Sequence, residues 1–201
     1  MGYKKRKQKY SEKEIKRINR KELLANLLPL VKAFGLWALL VAIVAWDYIK
    51  LKWVSMAFVH FTTYLTYGLS KVLFIPVRLL GQGTLTIGVF KGDYDTIMIS
   101  SYPMQIELEC SAYHAYLAMV ALIIFANWGW RNKIIWGSII FGILALVNSL
   151  RIVMLGVIGH KFPAFFGLIH DYVWNILMVV LLWGLYEFVN ARFTKKNEQK
   201  Y

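Results

Sequence analysis

Charge and cysteine are scarce in these 201 residues, and several familiar catalytic motifs are missing. Only 17% of the chain is charged, while 58% is hydrophobic. That balance excludes a disordered chain and fits a solvated nucleic-acid module poorly. A single cysteine, Cys110, excludes an intrachain disulfide and with it a secreted disulfide scaffold. There is no GxSxG elbow, no Walker loop and no glycine fingerprint for a dinucleotide. No compact HExxH or CxxC pair is present either, so Cys110, His114, His160 and His170 do not read as a metal site. No metal and no cofactor is expected.

What is present is apolar sequence in long runs. One soluble domain of this size cannot bury so much of it, so a membrane protein is expected. The net charge of +13 sits mostly at the two ends. Residues 1–22 hold ten Lys/Arg against three Glu, and Arg192 to Lys200 hold four basic residues against one Glu. Both basic ends flank apolar runs, so the positive-inside rule explains them better than nucleic-acid binding does. The expected place is the cell membrane, crossed several times, with both termini inside.

Residues 1–27 read as a basic cytoplasmic segment. Ala33 to Trp46 is an unbroken apolar run of fourteen and reads as an uncleaved first span. Residues 48–80 are helical in character but carry Lys50, Lys52, His60, Lys71, Pro76 and Arg78. They fit an interfacial helix, a broken hairpin or a second span. Alternation at Leu85, Ile87 and Val89, turn chemistry at Lys91 to Asp95 and a return over Thr96–Ser100 predict a β-hairpin. With a third alternating stretch at 105–109, it occupies about 84–109, outside the lipid. Three more spans are expected, over Ser111–Trp128, Ile134 to about Val153, and Tyr172–Val189. A loop at 156–169, containing Gly156, Gly159, Pro163 and Gly167, separates the last two. Residues 192–201 form a basic cytoplasmic tail. The fold class is therefore mainly α: an integral membrane helical bundle, a single domain over 28–191, with a small extracytoplasmic β-hairpin.

Cys110, Arg151 and His170 each lie about 20 residues, or ~30 Å of helix, from a basic inner anchor. That is close to one hydrocarbon thickness of ~30 Å, so the three are expected at one depth on the outer face. A thiol, a guanidinium and an imidazole together point to nucleophilic catalysis. A thiol at a helix start is expected to have a lowered pKa. Asn148 lies one turn before Arg151 and is expected to orient it. Asp171 is expected to cap the last helix or orient His170. His114, four residues after Cys110, is a rival base. Taken singly, each residue also has a structural reading: a buried hydrophobe, a snorkelling anchor, an interfacial ring.

Three short motifs carry a family resemblance. Glu109-Cys110-Ser111-Ala112 resembles the ExCSG region of exosortases and archaeosortases. Asn148-Ser149-Leu150-Arg151-Ile152 resembles their N-x-x-R-I motif, and His170-Asp171 their third motif. The resemblance covers roughly residues 100–190. Ala112 stands where the family has glycine. The chain is also shorter than eight-span exosortases, which places it nearest a compact branch such as the exosortase G type.

The resemblance implies a membrane-embedded cysteine transpeptidase or protease. It implies Cys110 as nucleophile, Arg151 as stabiliser and His170 as acid/base. The implied partners are the lipid bilayer, an exported protein with a carboxy-terminal sorting signal, and an amine or lipid acceptor; no nucleic acid is involved. From the residues themselves, a thioester is expected to form just outside the bilayer, and the hairpin is expected to hold the substrate strand by edge pairing. The competing readings are a membrane scaffold for surface-polysaccharide or secretion assembly, and a small transporter subunit.

Overall fold

The computed structural model describes residues 12–87, 90–126 and 128–198. Among the described residues there are six α-helices and a three-stranded sheet. The helices are α1 (Glu12–Lys50), α2 (Trp53–Val72), α3 (Tyr113–Phe125), α4 (Trp130–Lys161), α5 (Pro163–Leu168) and α6 (Trp174–Glu198). Strands β1 (Val77–Ile87), β2 (Phe90–Ile99) and β3 (Tyr102–Ile106) lie between α2 and α3 in the chain. The sheet packs mainly on α2 and α4. A 3-10 turn (Glu109–Ser111) precedes α3, and a π-helical turn (Ile169–Val173) joins α5 to α6.

Among the described residues, three helices are long and apolar enough to cross a membrane: Leu27–Lys50, Trp130–Lys161 and Trp174–Arg192. The span expected at Ser111–Trp128 is corrected. Its helix has only 13 residues, or ~20 Å, because it opens after the 3-10 turn and stops at Phe125. Nor does α2 reach the required hydropathy, although it has 20 residues. It turns Ser55, Thr62, Thr63, Thr66 and Ser70 inward. Its rings pack on the bundle, Phe58 over Tyr116 and Phe61 against Phe141.

The sheet is antiparallel throughout, in the order β1-β2-β3. The hairpin starts at Val77 rather than near 84. Its register runs from Val77↔Ile99 to Ile87↔Phe90, so the expected turn at Lys91 to Asp95 is instead part of β2. Those turn-forming residues are used across strands. Asp93 takes the Lys52 ammonium at 2.8 Å and the Thr84 hydroxyl at 3.0 Å. The Lys52 hydrogen bond, aided by Thr84, holds the Asp93 carboxyl below its usual range. Gly92 leaves room for the Tyr48 ring, which fills the place a Cβ would take.

Period-two alternation points Asp95, Ile97 and Ile99 inward. The two isoleucines join Met104, Ile106, Ile152 and Leu155 in one apolar cluster between sheet and α4. Asp95 shares that inward row, and its carboxylate is met by His60 Nδ1 at 2.8 Å. A second cluster, built around Tyr116, Ile123, Ile140, Leu144 and Met178, joins α3, α4 and α6.

The loop expected from 156 is also corrected, because α4 continues to Lys161. Gly156 and Gly159 are close-approach points, not breakers. A Cβ at Gly156 would lie 2.6 Å from the Ile99 Cβ, and one at Gly159 2.6 Å from the Tyr102 ring. Gly142, in the same helix, faces open space. Gly156→Ala should therefore destabilise the protein by about 1–3 kcal/mol through overpacking. Gly142→Ala should be stabilising by up to about 1 kcal/mol. Thermal unfolding in detergent should show Tm shifts of opposite sign. Equal shifts would contradict this view of the helix–sheet contact.

Candidate active site

Cys110 sits in the middle of the 3-10 turn. The turn is closed by Cys110 N–H donating to Glu107 O and Ser111 N–H to Leu108 O, both at 3.0 Å. The Ser111 hydroxyl adds a bond to Leu108 O at 2.6 Å. Ala112 then takes a left-handed backbone (φ 57°) and starts α3. This conformation costs an L-residue ~1–2 kcal/mol and suits glycine, the residue the resembled motif carries there.

The thiol does not open an α-helix, so the expected lowering of its pKa is corrected. Burial pushes the Cys110 thiol up. A Glu107 backbone hydrogen bond and the Arg151 guanidinium pull it down, and the Glu107 and Glu109 carboxylates push it up again. Sγ faces the Gln105 carbonyl on β3 at 3.9 Å.

Two residues of α4 meet this turn. Asn148 is fully buried and donates from Nδ2 to the Cys110 carbonyl at 3.0 Å. Its hydrogen bond thus fixes the cysteine backbone; it is not directed at Arg151, which corrects the expected orienting role. Arg151, three residues on, is buried and favours the ionised thiol. It also lines a cleft of about 430 Å³ with Trp37, Glu109, His114, Asn175 and Met178.

His114 is already engaged. Its Nε2 lies 3.3 Å from Glu109 Oε2, its ring packs on Tyr113, and its carbonyl accepts Trp37 Nε1–H at 3.2 Å. His170 stands in the π-helical turn, a local distortion frequent at functional sites. Its ring stacks on Phe166 (centroids 5.6 Å), which in turn packs on Tyr102 of β3 (5.5 Å). The side chain of Asp171 lies outside the described residues.

Cys110, Asn148 and Arg151 are thus brought together, with Glu109 and His114 at the same cleft. His170 is linked to the strand beside the thiol by a row of rings. Among the described residues no hydrogen bond joins its imidazole to Cys110. No group of three His, Cys, Asp or Glu among them could hold a metal ion. Gln105, Trp37, Phe166 and Asn175 were not expected. Trp37 lies 77 residues from its His114 partner, and no local pattern could reveal it. Compared with known proteins, the chain matches no family model, no curated protein and no solved structure.

The electrostatics make a testable order. The thiol should alkylate with iodoacetamide at a midpoint above that of an ordinary cysteine. Glu109→Gln should lower the midpoint, because it removes a charge that opposes the thiolate. Arg151→Gln should raise it, because it removes the charge that favours the thiolate. Rates measured against pH in detergent decide this, and an unchanged midpoint in both variants would contradict the arrangement.

Proposed function

We propose that the chain is a membrane-embedded cysteine transpeptidase or protease, acting at the outer membrane–water interface on carboxy-terminal sorting signals of exported proteins. The observation that carries this reading is the link between α4 and the cysteine turn. Asn148 donates to the Cys110 carbonyl, and the buried Arg151 guanidinium acts electrostatically to favour the ionised thiol. The three short motifs, in their order along the chain, support it from the sequence side.

In the proposed reaction His170 takes the thiol proton, and sulfur attacks the carbonyl carbon of a peptide bond. The C=O electron pair moves to oxygen, and the guanidinium of Arg151 stabilises that oxyanion. When the carbonyl re-forms, the C–N bond breaks and the leaving amine collects the proton held by the imidazole. The product is a thioester on Cys110. An acceptor amine then attacks it, loses a proton to the base and releases the thiol; water in that role gives hydrolysis. Because burial keeps the thiol protonated near neutral pH, the sulfur needs a base at the moment of attack. His170, in the π-helical turn, is the base this reading assigns. The basic ends support an orientation with both termini inside.

The test is co-expression with a tail-anchored substrate. Cys110→Ala should abolish processing while the protein still accumulates. Arg151→Ala should cost about 10²–10³-fold, the scale of a lost oxyanion donor. His170→Ala should cost about 10²–10⁴-fold. Normal processing by Cys110→Ala would overturn the nucleophile and return the chain to a scaffold reading.

A further inference from the structure

Strand β3 is an edge strand, paired with β2 on one side only. In an antiparallel ladder, alternate residues turn their N–H and C=O toward the partner strand, and the rest turn theirs outward. Two observations identify the outward set. Pro103 has no N–H to give to β2. The Gln105 carbonyl already faces Cys110 Sγ. Pro103 and Gln105 belong to the same alternate set, opposite Met98 and Thr96. The outer edge therefore offers, in order, the Pro103 C=O, the Gln105 N–H and the Gln105 C=O. Among the described residues the thiol contact is the one hydrogen bond that reaches this edge.

We propose that the outer edge of β3 binds the substrate as an extended peptide segment. The segment adds as a fourth strand, its main chain paired to Gln105 and its scissile carbonyl at Cys110 Sγ. This inference rests on reading Cys110 as the nucleophile. The occupant follows from the chemistry of the edge. Acceptor, donor and acceptor in strand order are the complement of an extended peptide backbone, and an acyl chain satisfies none of them.

Two further features fit. The acceptor that holds the thiol in the free protein is the one a substrate N–H would take, so binding releases the sulfur at the point of attack. Pro103 gives the edge no donor on that side, which limits pairing to a short stretch and guards against unwanted strand addition. The row of rings from Tyr102 through Phe166 to His170 starts on this same strand, so a peptide on β3 joins thiol and imidazole through one element.

The probe is a soluble library of capped decapeptides, tested with the full chain in lipid nanodiscs for protection of Cys110 from iodoacetamide. The best peptide is then remade as a series with one backbone N-methyl group at each position. N-methylation at the residue facing the Gln105 carbonyl should weaken protection by about tenfold, the scale of one backbone hydrogen bond, and its two chain neighbours should be far less sensitive.

Gln105→Pro removes an N–H that points away from β2, so it spares the ladder. It should weaken protection similarly while the melting temperature stays near that of the parent. A flat N-methyl series, unchanged protection in Gln105→Pro, or no protective peptide at all would overturn the edge. Protection with the expected alternation but no thioester and no cleavage would leave the edge standing and defeat the catalytic reading alone.

Discussion

One buried hydrogen bond organises the site. Asn148 sits in the middle of α4 and gives its amide to the carbonyl of Cys110, 38 residues earlier in the chain. Among apolar neighbours such a bond is costly to lose, because an unpaired buried carbonyl keeps its full desolvation penalty. It welds a short, strained turn to the most deeply packed membrane-length helix. The turn then needs no long helix of its own. The left-handed Ala112 follows it, α3 is short, and Arg151, one turn further along α4, acts electrostatically on the thiol.

The sheet is seated by the same helix. Gly156 and Gly159 let Ile99 and Tyr102 approach the α4 backbone, which sets β3 beside the cysteine turn. Position along α4 thus decides three things in sequence: the backbone anchor at 148, the charge at 151 and the sheet seat at 156 and 159. Burial raises the thiol pKa and arginine opposes it. The protonated thiol is therefore the favoured form at rest.

Much of this was legible from the residues. The apolar runs at 33–46 and 134–153, and 172–189 from Trp174 onward, fall within helices long enough to cross a membrane, whereas the run at 111–128 forms only a 13-residue helix. The return over 96–100 falls in β2 as far as Ile99, but of the alternating stretch 105–109 only Gln105 and Ile106 are strand, because the chain turns there into the 3-10 turn that carries Cys110. What misled was local chemistry overridden by contacts distant in sequence. Lys91 to Asp95 looks like a turn, yet Asp93 is claimed by Lys52 and Gly92 by the Tyr48 ring. Gly156 and Gly159 look like breakers, yet each serves a side chain from the sheet. Within the site, helix length suggested a common depth for Cys110, Arg151 and His170, whereas the partner of Asn148 is the Cys110 carbonyl, a backbone group that no spacing rule names. The packing of His170 on Phe166 depends on a π-helical turn, which leaves no sequence signature.

The most direct measurement is intact-protein mass spectrometry of the full chain, reconstituted with a tail-anchored substrate and quenched rapidly in acid. A hydroxylamine-labile acyl adduct on Cys110 is expected, with the mass of the substrate's amino-terminal portion. Processing of the substrate with Cys110 never carrying such an adduct would contradict Cys110 as the nucleophile.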